Sequence, residues 1–146
     1  MQAWELLIRE SVRQTLADCT AATDGFDLGA LASCFASNGT LEYTGGAGVL
    51  MGRKAIESGL AAQLGVSRGS GKQPTHVRHH VSSIRFSQVQ AGRVEASSYF
   101  VVFTDVGVDH WGRYRDVLIP DGERWLFASR KVKVDGFAPV SLMNNE

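Results

Sequence analysis

Thr75-His76-Val77-Arg78-His79-His80-Val81-Ser82-Ser83-Ile84-Arg85-Phe86 is the stretch on which the architecture turns. Polar and apolar residues alternate through it with a period of two, the pattern of a strand with one buried face. Val77, His79 and Val81 share that face, while Ile84 and Phe86 fall on the opposite one, so the phase slips once. A bulge near Ser82-Ser83 restores it. Three further segments follow, at residues 93–105, 108–120 and 124–134, and with residues 75–87 they are rich in Val, Phe, Tyr, Trp and Ile. Their breaks, Gln90-Ala91-Gly92, Asp105-Val106-Gly107 and Asp121-Gly122, have the length and composition of hairpin turns. Four strands this long predict a strongly bent antiparallel or mixed sheet.

Working outward from this sheet, the N-terminal half has helical periodicity. Trp4, Ile8, Val12, Leu16 and Cys19 form one apolar stripe, with Glu5, Arg9, Glu10 and Arg13 between them. Gly25 is placed to end this helix and Asp27 to cap a second, short one carrying Leu28, Leu31 and Phe35 on one face. Residues 39–43 read as a strand, and Gly45, Gly46 and Gly48 as an irregular turn. A third helix is expected over residues 53–64, with Ile56, Leu60 and Leu64 on one side, and an exposed loop over 65–74. Helices first and a long sheet second define the α+β class, here as a single domain over residues 1–146. A curved sheet wrapped over helices leaves a concave interior.

Composition narrows the function. The chain is 44% hydrophobic and 21% charged, ordinary for a globular protein. Lys+Arg total 15 against Asp+Glu 15, and the densest basic stretch, Arg130-Lys131-Val132-Lys133, alternates as a strand does. A nucleic-acid partner is therefore not expected. The 2 cysteines, Cys19 and Cys34, sit in apolar helical surroundings and read as reduced core thiols. The first residues lack a basic segment followed by a long apolar run, and no membrane span is visible, so the expected location is cytoplasmic. The sequon Asn38-Gly39-Thr40 then reads as a turn.

The histidine cluster is the first candidate for chemistry. His76, His79 and His80 are three of the chain's 4 histidines. His79 points to the apolar face, where an imidazole serves either as an acid–base group or as a neutral core residue with both nitrogens bonded. Metal binding is disfavoured, because adjacent strand residues diverge and zinc needs three or four converging ligands. Asp24 closes the first helix. With Asp27 the better cap, a carboxylate at Asp24 needs another partner, and a histidine whose tautomer it would fix is the natural one. Tyr43, at the end of its strand, could present its hydroxyl to a cavity or bury its ring with a wet tip. Phe26, Trp111 and Tyr114, with Tyr43, suit a flat hydrophobic ligand or an ordinary core. His110, early in its segment beside a turn, is expected at the surface. Gly69-Ser70-Gly71-Lys72 fails as a phosphate loop, since it follows a helix and Gln73 stands where Ser or Thr is required. No Gly-x-Ser-x-Gly elbow occurs.

Taken in order, several short pieces resemble the SnoaL-like branch of the NTF2-like superfamily. They are Asp24-Gly25-Phe26-Asp27 with Leu31 and Phe35; Gly52-Arg53-Lys54-Ala55-Ile56; Arg78-His79-His80-Val81-Ser82; and Gly112-Arg113-Tyr114-Arg115-Asp116 followed by Trp125 and Arg130. Within that branch the pattern is most similar to the scytalone dehydratases and bile-acid 7α-dehydratases. The resemblance implies a cone-shaped α+β barrel, often a homodimer or homotrimer through the sheet, and no cofactor or metal. It implies a catalytic Asp24–His79 pair assisted by Tyr43, with Phe26, Thr104, Trp111, Tyr114, Asp116 and Arg130 around a small hydrophobic, aromatic or steroid-like ligand. Thr23 and Thr104 stand where scytalone dehydratases carry a tyrosine and a second histidine. The implied activity is that of a dehydratase-type lyase on a cyclic carbonyl compound. The alternatives are an isomerase or cyclase of the ketosteroid-isomerase or polyketide-cyclase kind, with Asp116 or Asp24 as base, and a non-catalytic ligand-binding module.

Overall fold

The computed structural model describes residues 1–46, 48–69 and 76–143. Three helices, α1 (Ala3–Asp24), α2 (Leu28–Ser33) and α3 (Arg53–Gly69), accompany six strands. These are β1 (Phe35–Tyr43), β2 (Gly48–Met51), β3 (Val77–Gln90), β4 (Arg93–Thr104), β5 (Gly107–Asp121) and β6 (Arg124–Phe137). They form one sheet in the order β2-β1-β6-β5-β4-β3, parallel only where β1 meets β6. The α+β class and the mixed sheet are those the sequence predicts.

The alternation of the strands decides which face the helices cover. Val94, Ala96, Ser98, Phe100, Val102 and Thr104 of β4 are all buried, and their odd-numbered neighbours are more exposed. The α1 stripe of Val12, Leu16, Cys19 and Ala22 joins this face, with Phe35, Ile56, Leu118 and Phe127 beside it. Trp4 alone leaves the predicted stripe and is half-exposed at the first turn. A buried hydrogen bond from the Thr15 hydroxyl to the Trp125 carbonyl ties α1 to β6. The Arg9 and Arg13 guanidinium groups lie over the Phe86 ring, at 4.9 and 5.1 Å, and tie it to β3. The expected bulge is present: β3 shifts register between Ser82 and Arg85, with Ser83 at φ 53°.

Tertiary pairing overrides the local pattern in four places. Phe35 belongs to β1, not to the second helix. Cys34 ends α2, its carbonyl accepts the Phe127 N–H, and the Phe35 ring meets Phe127 at 5.2 Å. The strand expected over 39–43 thus starts earlier, and the Asn38-Gly39-Thr40 turn is a register shift inside β1. The glycine-rich turn continues into β2, which pairs with β1. Finally, α3 runs on through residues 65–69, where a loop is expected; the rest of that segment, 70–74, lies outside the described residues.

Candidate active site

Strand β3 is an edge of the sheet, so half of its backbone groups lack a strand partner. The end of α1 supplies one. The Asp24 carboxylate accepts the His79 backbone N–H at 3.0 Å (Oδ2) and 3.2 Å (Oδ1). The same carboxylate lies 2.6 Å from His79 Nδ1. One residue therefore satisfies the strand edge and holds the ring. The Nδ1 proton is directed to Asp24, which leaves Nε2 as the acceptor. Neither group is sealed: the side chains of His79 and Asp24 are 16% and 13% exposed. Local turn chemistry frees Asp24 for this work, since Gly25 takes the helix cap and Asp27 Oδ1 accepts the Ala30 N–H at 3.0 Å to start α2. Thr23, directly before Asp24, bonds back to the Cys19 carbonyl at 2.7 Å.

The other candidates separate by face. Tyr43 is aligned with Val132 of β6, which is aligned with Tyr114 of β5, itself opposite Ser98 of β4, so these four share one level of the sheet. Burial pushes the Tyr43 hydroxyl up to about 12, against the opposing pull of the Arg130 charge, and the group stays a hydrogen-bond donor at neutral pH. Tyr114 stacks on Phe100 at 4.5 Å and lies under the Arg130 guanidinium at 3.8 Å. Arg130 donates to both oxygens of Asp116, at 2.8 and 2.9 Å, and both residues are buried. Asp116 is thus committed to Arg130. The Thr104 hydroxyl accepts the Val106 N–H at 3.2 Å and serves the β4–β5 hairpin. Phe26 is exposed on the turn after α1, at φ 55°. Trp111 is 41% exposed on the opposite face of β5 from Tyr114, with its ring against Gly136, where a Cβ would come within 2.7 Å of it.

Two groups escape the sequence reading. His110 is not at the surface: its side chain is 19% exposed and bonds through Nδ1 to the buried Asp109 at 2.7 Å. Ser98 carries a buried hydroxyl with no hydrogen-bond partner among the described residues. The alternation of β4 foretells the second, but no local signal foretells the first, because it depends on a bulge and on the distant C-terminal segment. Among the described residues no three of His, Cys, Asp and Glu gather to hold a metal ion, and no helix is long and apolar enough to cross a membrane.

Comparison with known proteins gives the family. Among solved structures, Aln2 from a Streptomyces species shares 27% identity at a TM-score of 0.75, covering 88% of this chain and 91% of its own. A protein from Catenulispora acidiphila in complex with S-DNPA shares 26% identity at 0.75, over 88% and 93%. A candidate scytalone dehydratase from Novosphingobium aromaticivorans shares 19% at 0.75, over 91% and 87%, a likeness of fold. No curated protein sequence matches the chain. The SnoaL-like domain profile matches residues 4–131, and the chain belongs to that family.

Proposed function

We propose that the protein is a lyase of the dehydratase type, acting on a small cyclic or polycyclic carbonyl compound through His79 and Asp24. The observation that carries this reading is the partly exposed Asp24–His79 pair, in which one carboxylate fixes both the ring and the backbone beneath it. The substrate is a ring ketone with a hydroxyl β to the carbonyl. Nε2 of His79 takes the α-proton, and the Cα–H electrons move toward the carbonyl as an enolate. The protonated Tyr43 hydroxyl donates to the developing oxyanion. The enolate then collapses, the C–C double bond forms, the Cβ–O bond breaks, and the imidazolium returns its proton to the departing hydroxyl as water. This chemistry calls on no cofactor, because the carbonyl itself acidifies the proton. A positioned base contributes about 10²- to 10⁴-fold, and a donor aimed at the oxyanion a similar factor.

Isomerase chemistry with Asp116 as the base is less favoured, since that carboxylate is buried in its pair with Arg130. An assembly of two or three copies through the outer sheet face, where Tyr99 and Trp111 are exposed, fits the same reading. The test is a panel of cyclic β-hydroxy ketones followed by absorbance of the conjugated enone. His79→Ala and Asp24→Asn each lose about 10³-fold in kcat, within the range of a lost general base, with an unchanged circular dichroism spectrum. Full activity in either variant overturns the reading.

A further inference from the structure

Helix α1 meets the edge strand β3 at two places. One is the Asp24–His79 pair. The other lies roughly 16 to 22 Å away along the α1 axis, at the helical rise per residue, where Arg9 and Arg13 rest on Phe86. Phe86 follows the β3 bulge and packs against the core beneath the helices. Arg9 and Arg13 are one helical turn apart, so both reach the same ring, their guanidinium carbons 4.9 and 5.1 Å from its centroid. The negative face of the ring draws each cation in. Two like charges are thereby held side by side.

Neither charge is answered by a carboxylate. Among the described residues no Asp or Glu forms an ion pair with either guanidinium. The neighbouring acids are engaged or face elsewhere. Glu5 accepts the Gln2 backbone N–H at 2.6 Å, and Asp18 accepts the Gln14 amide at 2.8 Å. Glu10 lines a cleft with Gln14, Asp18 and Arg124, toward the β5–β6 turn. Glu95, across from Gln88 on β4, is paired with Arg93 at 2.8 Å. Arg85, next to Phe86 in β3, is exposed and adds a third cation outside any ion pair. Arg9 Nε is moreover buried, with no acceptor among the described residues. A buried donor on a charged group calls for an acceptor. Arg13 beside it is exposed, so an anion from solution can reach the pair.

We infer that Arg9 and Arg13, seated on Phe86, form a binding site for the phosphate group of a phosphomonoester. Two guanidinium groups match the charge of a phosphate near −2, where a carboxylate would balance only one of them. Their planar forks present paired N–H donors to its terminal oxygens. Leu6 stands one turn before Arg9 on the same face of α1 and is 56% exposed, so the organic part of the ester has an apolar surface to lie against. Bound there, the anion relieves the repulsion between the two cations and secures α1 on the strand edge. The site is separate from the Asp24–His79 pair and takes a ligand other than the ring ketone.

The probes are phenyl phosphate and inorganic phosphate, titrated by calorimetry against the full chain, with the arginine ¹⁵Nε resonances followed in parallel. Phenyl phosphate binds the wild-type chain, shifts the Arg9 Nε resonance and raises the melting temperature, while inorganic phosphate binds more weakly. Arg9→Gln and Arg13→Gln each weaken phenyl phosphate about tenfold, the factor of one charge-assisted contact. Arg9→Lys keeps the charge but lacks the Nε–H, and binds more weakly than the wild-type chain. Phe86→Leu keeps an apolar side chain under α1 but loses the ring that seats both cations, and weakens binding as well. Arg113→Gln removes the same charge from an arginine already bonded to Asp135, and leaves binding within about twofold. Vesicles of phosphatidylcholine with phosphatidic acid test the other source of the same group. Co-sedimentation that Arg9→Gln abolishes assigns the site to a lipid headgroup, and its absence assigns it to a soluble ester. No binding of phenyl phosphate at millimolar concentration, wild-type affinity in Arg9→Gln, or an equal loss in Arg113→Gln overturns the inference. Binding is read without turnover, so the outcome is independent of the lyase reading.

Discussion

Arg130 is buried against the rings of Tyr114 and Phe127, whose centroids lie 3.8 and 4.3 Å from its guanidinium carbon, and such a charge persists only if it is paired. Burial works against the guanidinium, but the charge of Asp116 and its two hydrogen bonds outweigh it, so its proton is held more tightly than in water. The pair is worth little as net stability, yet breaking it strands a charge in the interior. Asp116→Ala is expected to cost about 3 to 5 kcal/mol, read as a fall in the urea midpoint at unchanged slope. A loss below about 1 kcal/mol would mean that water reaches the guanidinium. The sequence identifies Asp116 and Arg130 as site residues only by motif. Their mutual bond rests on strand register, Asp116 opposite Arg130, which no local pattern reveals. Asp24 and His79 are more legible, because a carboxylate displaced from capping and a histidine on an apolar strand face each lack a local partner. Their actual meeting depends on where α1 crosses the sheet edge.

The elements differ in how far local chemistry decides them. The four long strands are set by alternation and turn residues, and their observed limits follow the pattern within a few residues. α2 is only 6 residues long, too short to sustain itself, and depends on its ends. Its start is the Asp27 cap, and its end is forced by Phe35 entering β1 beside Phe127. That is why a helical period drawn through Leu28, Leu31 and Phe35 fails at its last member. β2 is a 4-residue edge strand, below the length at which alternation can be read. Asp27→Ala is expected to cost about 1 kcal/mol by removing the cap. Because α2 follows the Asp24 turn directly, amide exchange should quicken in residues 24–33 ahead of the sheet. Exchange that quickens uniformly across the chain would show that α2 does not open on its own.

At the scale of the whole molecule, the C-terminal segment is joined to the sheet through a titratable clasp, and this gives the stability a definite dependence on pH. Burial pushes the Asp109 carboxyl up, but its bonds to His110, the Leu142 N–H and the Ser141 hydroxyl prevail, and its net displacement is downward. Burial pushes His110 down as well, with the nearby His79 adding to it and Asp109 opposing. Both groups therefore bind protons less readily in the folded chain than in the unfolded one. The unfolded state takes up protons first as pH falls, so stability drops with acidification. For His110 the contribution is complete above the ordinary imidazole value of 6.5 and drains away as pH falls through the folded value. For Asp109 the same loss comes later, below the ordinary carboxyl value of 3.8. The melting temperature of the wild-type chain should accordingly decline between pH 7 and 5, where His110 is the clasp's titrating member. His110→Gln, which cannot take up that proton, should decline less over the same interval, while Ser141→Ala should lower stability with the wild-type pH profile over it. Parallel profiles for the wild-type chain and His110→Gln would mean that His110 gains its proton at no cost to the fold, and that the clasp is held by Asp109 and the C-terminal segment alone.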